Sequence, residues 1–575
     1  MKRTGIITIV LAGCVLFAAG CKRQAEQSGG GEVSAEPTVV SIATNRINTE
    51  VWNTDIWQDI QKRANVKVDY SYYDVDKMSL MMASGDLTDI VLTNQRFLSN
   101  IFAGNMAMNL DPILESHIPN ALLDMYKTRN EMLRLFLGGS DGGLYILSPG
   151  LGPENAGGMD SNYRGYAVRW DYYKEIGAPP IDNDDQFVEA IKAMAARHPS
   201  TEDGRKVWGM GIQNDLTYFY VHGILTANLN PWTILSSQYM GHFVTNEIHN
   251  GYTDTNQSAY WNDMKLWNKL HRAGLFDPDS FTMTTEELTA KQAAGVYVAT
   301  AYRTDAMYNE MRKKDPNTMA GFMLVPSAGT AVFATKPLVM GNAPDDSMFI
   351  YSKSKNWEAA ARLLNVMQDP DTIRTIYSGY KGVQWDYDAD GNPYLFDNII
   401  EGVAGNTDEY VKLGVIDPPR QFIFGQPTSS NPDGHYNDLF REPNFRQKRM
   451  GLSPIFLDYA DFYEVPYPSA AMLKNVELGR TIDMSRDFVQ LISVGLTDVP
   501  LDIERIVQNL NTIIYRSLPK LITAESDAAF LTAQQQVLDE LKAAGEPTAW
   551  EWVRTNYNKY KDMTEPVIQD YFARR

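Results

Sequence analysis

The sequence predicts an α/β fold built on a parallel sheet. Within residues 38–93 the pattern reads strand, helix, strand, helix, strand, which is how a parallel sheet with crossover helices reads. The chain has 575 residues and 44% apolar content, more than one core accommodates, so two or more packed domains are expected. Beyond the N-terminal leader no run is long and apolar enough to span a membrane.

The elements follow in order. Lys2 and Arg3 make a positive start, Gly5 to Ala19 an apolar run, and small residues lead into Cys21, the pattern of a secretory signal peptide over residues 1–20. Ala18-Ala19-Gly20-Cys21 resembles a lipobox, so Cys21 is the expected site of lipidation (diacylglycerol, then an acyl chain such as palmitate on the new N-terminus). Leu11-Ala12-Gly13-Cys14 is a rival with a shorter apolar run before it. Residues 21–37 are rich in Gly, Ser and Glu and read as a flexible tether. Thr38 to Thr44 is a strand that ends in the polar loop Asn45 to Asn48. Thr54 to Ala64 sets Ile56, Trp57 and Ile60 on one helical face, and Val66 to Tyr72 alternates as a strand. A helix over Asp74 to Ser84 stops at Gly85, before the strand Asp89 to Thr93. Ligands of such sheets gather beyond the carboxyl ends of the strands, here at Asn45-Arg46 and Asn94-Gln95.

Composition narrows the function. A net charge of −19 argues against nucleic acid, whose phosphates need basic patches. Both cysteines, Cys14 and Cys21, lie in the leader segment, so no internal disulfide is expected. With 11 Trp, 31 Tyr and 22 Phe the chain is well supplied with rings that stack on sugar faces, although most are expected in the core. The seven histidines show no metal-binding spacing, and no phosphate or dinucleotide fingerprint occurs, so no cofactor is expected. Gly138-Gly139-Ser140-Asp141-Gly142 matches G-x-S-x-G, but a helical run precedes it and a strand follows, the reverse of a nucleophile elbow. It reads as a turn. Asp386, Asp388, Asp390 and Asp397 have the spacing of a calcium loop with Asp in place of the last Glu. A hairpin turn at Ala389 to Asn392 accounts for the same letters.

The runs TDIWQDIQKRANVKVDYSYYD and LMMASGDLTDIV, then LDPILESHIPN, DGGLYIL, VRWDYYKEIGAPP, MFIYSKSKNWEAAARLLNVMQDPD and YSGYKGVQWDYDADG, resemble the extracellular solute-binding proteins (family 1) of ABC sugar importers. The likeness is strongest to their large oligosaccharide-binding lipoproteins. It implies a two-lobed periplasmic-binding-protein-like fold (type II), with hinge strands and extra helices in the C-terminal part. The implied N-lobe holds 38–145 and 331–378, the C-lobe 165–325 and 385–575, with crossings at Gly165 to Val168 and Gly379 to Val383. Some relatives carry an EF-hand-like loop where this chain reads His198 to Gly204 without the regular oxygen ligands, so that calcium site is not carried over.

The expected function is capture of an oligosaccharide and its delivery to ABC permease subunits by a monomer, lipid-anchored on the outer face of the cell membrane and without catalysis. Alternatives are an oligopeptide-binding lipoprotein and a surface glycan hydrolase or lyase. Candidate ligand contacts are Asn45, Arg46 and Asn94 at the first strand ends, and Trp52, whose ring serves either core or ligand. Trp232 follows Pro231 in a loop, and Tyr302, Arg303 and Asp305 end a small-residue run as a strand end facing the crevice does. Trp385 follows a crossing, where relatives place a cleft aromatic.

Overall fold

A computed structural model describes residues 36–45, 50–139, 141–149, 151–152, 164–219, 223, 238–242, 245–302, 306–328, 331–332, 339–340, 347–404, 407–416, 418, 422–425, 427, 429, 431–441, 452–480, 482–483, 489–493, 496 and 499–574. The first α/β unit runs β1 (Thr38–Thr44), α1 (Asp55–Ala64), β2 (Val66–Tyr72), α2 (Val75–Ser84), β3 (Ile90–Thr93) and α3 (Gln95–Ala103). The elements that frame the rest are α4 (Asp124–Leu137), β4 (Arg164–Arg169), α5 (Trp170–Glu175), α6 (Asp184–Arg197), β5 (Tyr239–Gly241), β6 (Ile248–Asn250), α7 (Ala259–Arg272), β7 (Ala299–Tyr302), β8 (Phe322–Leu324) and β9 (Ser347–Ile350). They continue with α8 (Trp357–Met367), α9 (Pro370–Ser378), β10 (Trp385–Tyr387), β11 (Pro393–Leu395), α10 (Pro454–Phe462), α11 (Leu501–Ile522), α12 (Asp527–Ala543) and α13 (Glu546–Ala573).

Local chemistry explains the boundaries. Asp74 caps α2 by accepting from the Lys77 N–H at 2.8 Å, and Gly85 ends it at φ 70, a left-handed turn that glycine adopts without strain. On α1 the apolar face Ile56, Trp57, Ile60 and Ala64 is buried. β1 lies between β2 and β3, parallel to both, and β9 returns antiparallel on the outer edge of β3, giving the order β2-β1-β3-β9. Asp89 ties the amino-terminal end of β3 to its neighbours: its carboxylate accepts from the Ser41 N–H at 2.9 Å, the Ser41 hydroxyl at 2.8 Å and the Ser354 hydroxyl at 2.6 Å. Burial raises its pKa, and the hydrogen bonds from Ser354, Ser41 and Asn356 outweigh that effect, holding it below the ordinary value.

The second sheet is antiparallel, with β4 between β7 and β8. The crossing expected at Gly165 to Val168 is thus its central strand. Trp170 is fully buried beneath it, and its Nε1 donates to Asp458 of α10 at 2.6 Å, while the Tyr459 hydroxyl donates to the Leu324 carbonyl at 2.7 Å. These bonds fasten α10 to the second sheet. Among the described residues the fold is mixed α/β and two-lobed, rich in helix, with a sheet at the centre of each lobe. No described helix is long and apolar enough to cross a membrane.

The stretch 385–441 packs in part on elements of residues 38–64 and 370–378. Phe422 lies edge-on to Trp52 and Trp57, with ring centroids 5.8 and 6.5 Å away. Tyr377 and Ser378 of α9 donate to the carbonyls of Gly425 (3.0 Å) and Asn437 (2.9 Å). The sequence-based division groups 385–575 with the second lobe, and these contacts tie part of that stretch to elements of the first across long chain separations.

Candidate functional site

Topology locates the crevice. The chain leaves β1 toward β2 and then crosses back over β1 to β3, so the strand order reverses between β1 and β3. At such a switch the connections diverge beyond the carboxyl ends and leave room for a ligand. Ile42 pairs with Ile90 and Ala43 with Val91, so Asn45 and Thr93 each lie two residues past the last paired position, at the carboxyl ends of adjacent strands. On the other edge Ser347 of β9 is the partner of Thr93. Tyr73 locks this end: its N–H donates to the Thr44 carbonyl at 2.9 Å and its hydroxyl to the Leu92 carbonyl at 2.7 Å.

Two polar atoms in this corner have no partner. Asn45 Oδ1 and Thr93 Oγ1 are both shielded from water and accept or donate no hydrogen bond. A buried polar atom left unsatisfied costs roughly 1–3 kcal/mol, so two of them at the ends of adjacent strands beside a switch point are candidate ligand contacts. The side chain of Asn94, the next residue, is instead engaged in capping α3, accepting from the Arg96 N–H at 3.1 Å.

The remaining candidates divide. Arg46, Trp232, Arg303, Asp305 and Cys21 lie outside the described residues, as does Ser140 of the G-x-S-x-G run. Tyr302 is the last residue of β7, at the edge of the second sheet. Trp52 is 4% exposed and stands edge-to-face with Trp57 at 4.7 Å, so its ring serves packing in this geometry. Trp385 is also buried, and its Nε1 donates to the Gly379 carbonyl at 2.9 Å.

Trp385 belongs to a latch. The Arg374 guanidinium lies 5.3 Å from its ring centroid and makes a two-pronged pair with Asp433, one prong at 2.8 Å. Tyr387 donates to the same carboxylate at 2.6 Å. Burial works to raise the Asp433 pKa, but the bonds from Arg374 and Tyr387 prevail and bring it down to about 2. Burial first, and then the bond to Asp433, push the Tyr387 hydroxyl up to about 12.

The Asp386 to Asp397 segment is the β10–β11 hairpin. The Asp388 side chain closes its turn by accepting from the N–H groups of Asp390 at 3.0 Å and Asn392 at 2.8 Å, and Gly391 takes φ 84. Asp397 begins the helix after it. No cluster of three or more His, Cys, Asp or Glu suited to a metal ion occurs among the described residues.

Asn45 is among the contacts expected from the sequence, and Thr93 is not. As the last letter of the apolar run Ile90–Thr93, a β-branched Thr looks like a strand core residue. Its position at the carboxyl end of the strand beside the reversal was the available signal.

No protein-family model and no curated sequence matches the chain. Solved structures do. An HMO-binding, ABC-transporter-associated solute-binding protein from Bifidobacterium longum infantis superposes with a TM-score of 0.59 at 15% identity, over 92% of this chain and 99% of that one. The fold is that of the solute-binding proteins. The S. pneumoniae ABC-transporter substrate-binding protein FusA, in complex with kestose, superposes with a TM-score of 0.58 at 14% identity over 91% and 100% of the two chains. Alginate-binding protein AlgQ2, without calcium ion, gives 0.54 at 16% identity over 91% and 99%. Each of these neighbours carries the name of a binding protein rather than an enzyme.

Proposed function

We propose that this protein captures an oligosaccharide between its two lobes and hands it to the permease of an ABC importer. The observation that carries the reading is the pair of unpartnered polar atoms, Asn45 Oδ1 and Thr93 Oγ1, at the strand-order reversal of a two-lobed fold. A sugar hydroxyl both donates and accepts, so one such group satisfies both atoms. A sugar touching both lobes binds the closed form more strongly than the open one, and that difference alone shifts the population toward closure. The names of the similar structures support the ligand class, since they include an HMO-binding protein, an alginate-binding protein and a complex with kestose. ATP hydrolysis in separate subunits supplies the work, and this chain turns nothing over.

Anchoring completes the proposal. A lipid on Cys21, followed by the 21–37 tether, keeps a monomeric receptor at the outer face of the cell membrane within reach of its permease. A Cys21→Ala variant is expected to lose metabolic labelling with palmitate; retained labelling moves the anchor to Cys14.

Calorimetric titration of the purified chain against kestose, alginate oligosaccharides and milk oligosaccharides tests the ligand class. One-to-one binding with no new reducing ends supports capture. New reducing ends make the protein a glycan hydrolase or lyase, and heat with peptides alone makes it a peptide receptor.

A further inference from the structure

We infer that the C-terminal helix α13 is a brace laid across both lobes, and that its contacts with the first lobe set the angle between them. α13 has 28 residues, about 42 Å at 1.5 Å per residue, enough to reach from one lobe to the other. Its N-terminal part, as far as Lys561 just past the midpoint, is fixed to the second lobe. The Asn250 amide donates to Glu546 at 2.5 Å, the Tyr557 hydroxyl to the Asn246 carbonyl at 3.0 Å, and Lys561 to the Thr245 carbonyl at 3.2 Å. Trp550 stacks on Tyr239 with centroids 5.7 Å apart. The β5–β6 hairpin that receives these groups is joined through α7 and α6 to the second sheet: Trp261 donates to the Tyr252 carbonyl at 3.0 Å, Lys269 pairs with Asp185, and the Tyr166 hydroxyl donates to Asp184 at 3.0 Å.

From Tyr560 to Arg574 the helix also meets α4 of the first lobe. Tyr560 meets Phe136 edge-on at 5.7 Å, Arg574 donates to the Thr128 hydroxyl at 2.7 Å and to Asp124 at 3.4 Å, and Asp570 stands 3.8 Å from Lys127. α4 in turn is fixed to the first lobe, because the Tyr126 hydroxyl and the buried Arg129 both donate to Gln368, just past α8, at 2.9 Å. One helix therefore holds groups from both lobes, separate from any strand that joins them.

The two ends differ in strength. The charged contacts at the α4 end are solvent-exposed, and exposed ion pairs contribute little. Pro566 stands between Tyr560 and Arg574 and removes the N–H that would bond the Asp562 carbonyl, so the last two turns are coupled more softly to the rest of the helix. The α4 end is thus the one that yields when the lobes rotate.

The test uses the purified full chain without ligand, so its failure leaves the capture proposal standing. Arg574→Gln alone, and with Phe136→Ala, is compared with the parent by amide hydrogen exchange and small-angle X-ray scattering. The expected result is faster exchange in the last two turns of α13 together with a shifted radius of gyration or a broader pair-distance distribution. Faster exchange with superimposable scattering overturns the brace, and so does unchanged exchange, which shows that these contacts do not hold the helix. Arg574 is solvent-exposed, so its Gln variant is expected to keep the fold even if Phe136→Ala does not, and it must show the same direction by itself.

Discussion

Thr93 carries a hydroxyl that the fold does not use. Removing it by Thr93→Val deletes an unsatisfied buried group at nearly constant shape, so the thermal midpoint of the free protein is expected to hold steady or rise. Binding is expected to move the other way, weakening by about tenfold, the equivalent of one hydrogen bond of about 1.4 kcal/mol. Thermal unfolding and titration on the same variant read both signs; a midpoint that falls would show that the hydroxyl serves the fold. Asn45→Ala has the same expected loss of affinity. The two residues also show what was legible at this scale. Asn45 announces itself as a polar residue after an apolar strand, whereas Thr93 closes a strand that reads as core, and its unused oxygen is a fact of neighbours 48 residues away in sequence.

Elements were legible where their signal is local. The parallel unit over 38–93 follows from period and caps, because α1 and α2 carry their own helical period and end at Asn65 and Gly85, β2 alternates, and β3 is a short apolar run after Gly85. The long-range contacts of 385–441 were not legible, since they depend on Arg374 reaching Asp433 across 59 residues and on Phe422 reaching Trp52 and Trp57. That latch has a measurable strength. Arg374 is 2% exposed, and replacing it by Met leaves the Asp433 carboxylate without its cation, a loss expected to cost about 3 kcal/mol. Denaturant unfolding checks it. The pH dependence has a fixed sign: Asp433 sits at about 2 in the fold against an ordinary 3.8, so its pairing stabilises the protein above pH 3.8 and that contribution fades as pH falls toward 2. An Asp433→Asn variant is expected to be less stable than the parent at pH 6 and to lose that difference by pH 2, and a difference that persists unchanged at pH 2 rules the carboxylate out as its cause.

At the scale of the whole molecule, one apolar cluster runs through both lobes. It joins Val40 and Trp57 of the first to Trp170 and Trp261 of the second, and takes in Leu510 of α11 and Val553 of α13. Two lobes that share a core and a helix are expected to unfold together, and differential scanning calorimetry of the free protein should give one peak whose calorimetric and van't Hoff enthalpies agree. Ligand sharpens the question. At a free concentration of about 100 times Kd, a ligand that binds only the folded state adds about 2.7 kcal/mol to stability. If the sugar bridges the lobes, that gain belongs to the whole transition, and the single peak moves upward intact. If it sits on the first lobe alone and the lobes are only loosely joined, the peak splits and one component stays behind. Thr93→Val at the same ligand concentration should return part of the shift, about 1.3 kcal/mol for roughly tenfold weaker binding, while a brace-loosened Arg574→Gln chain should keep the full shift if it binds as tightly and differ from the parent only in the free state.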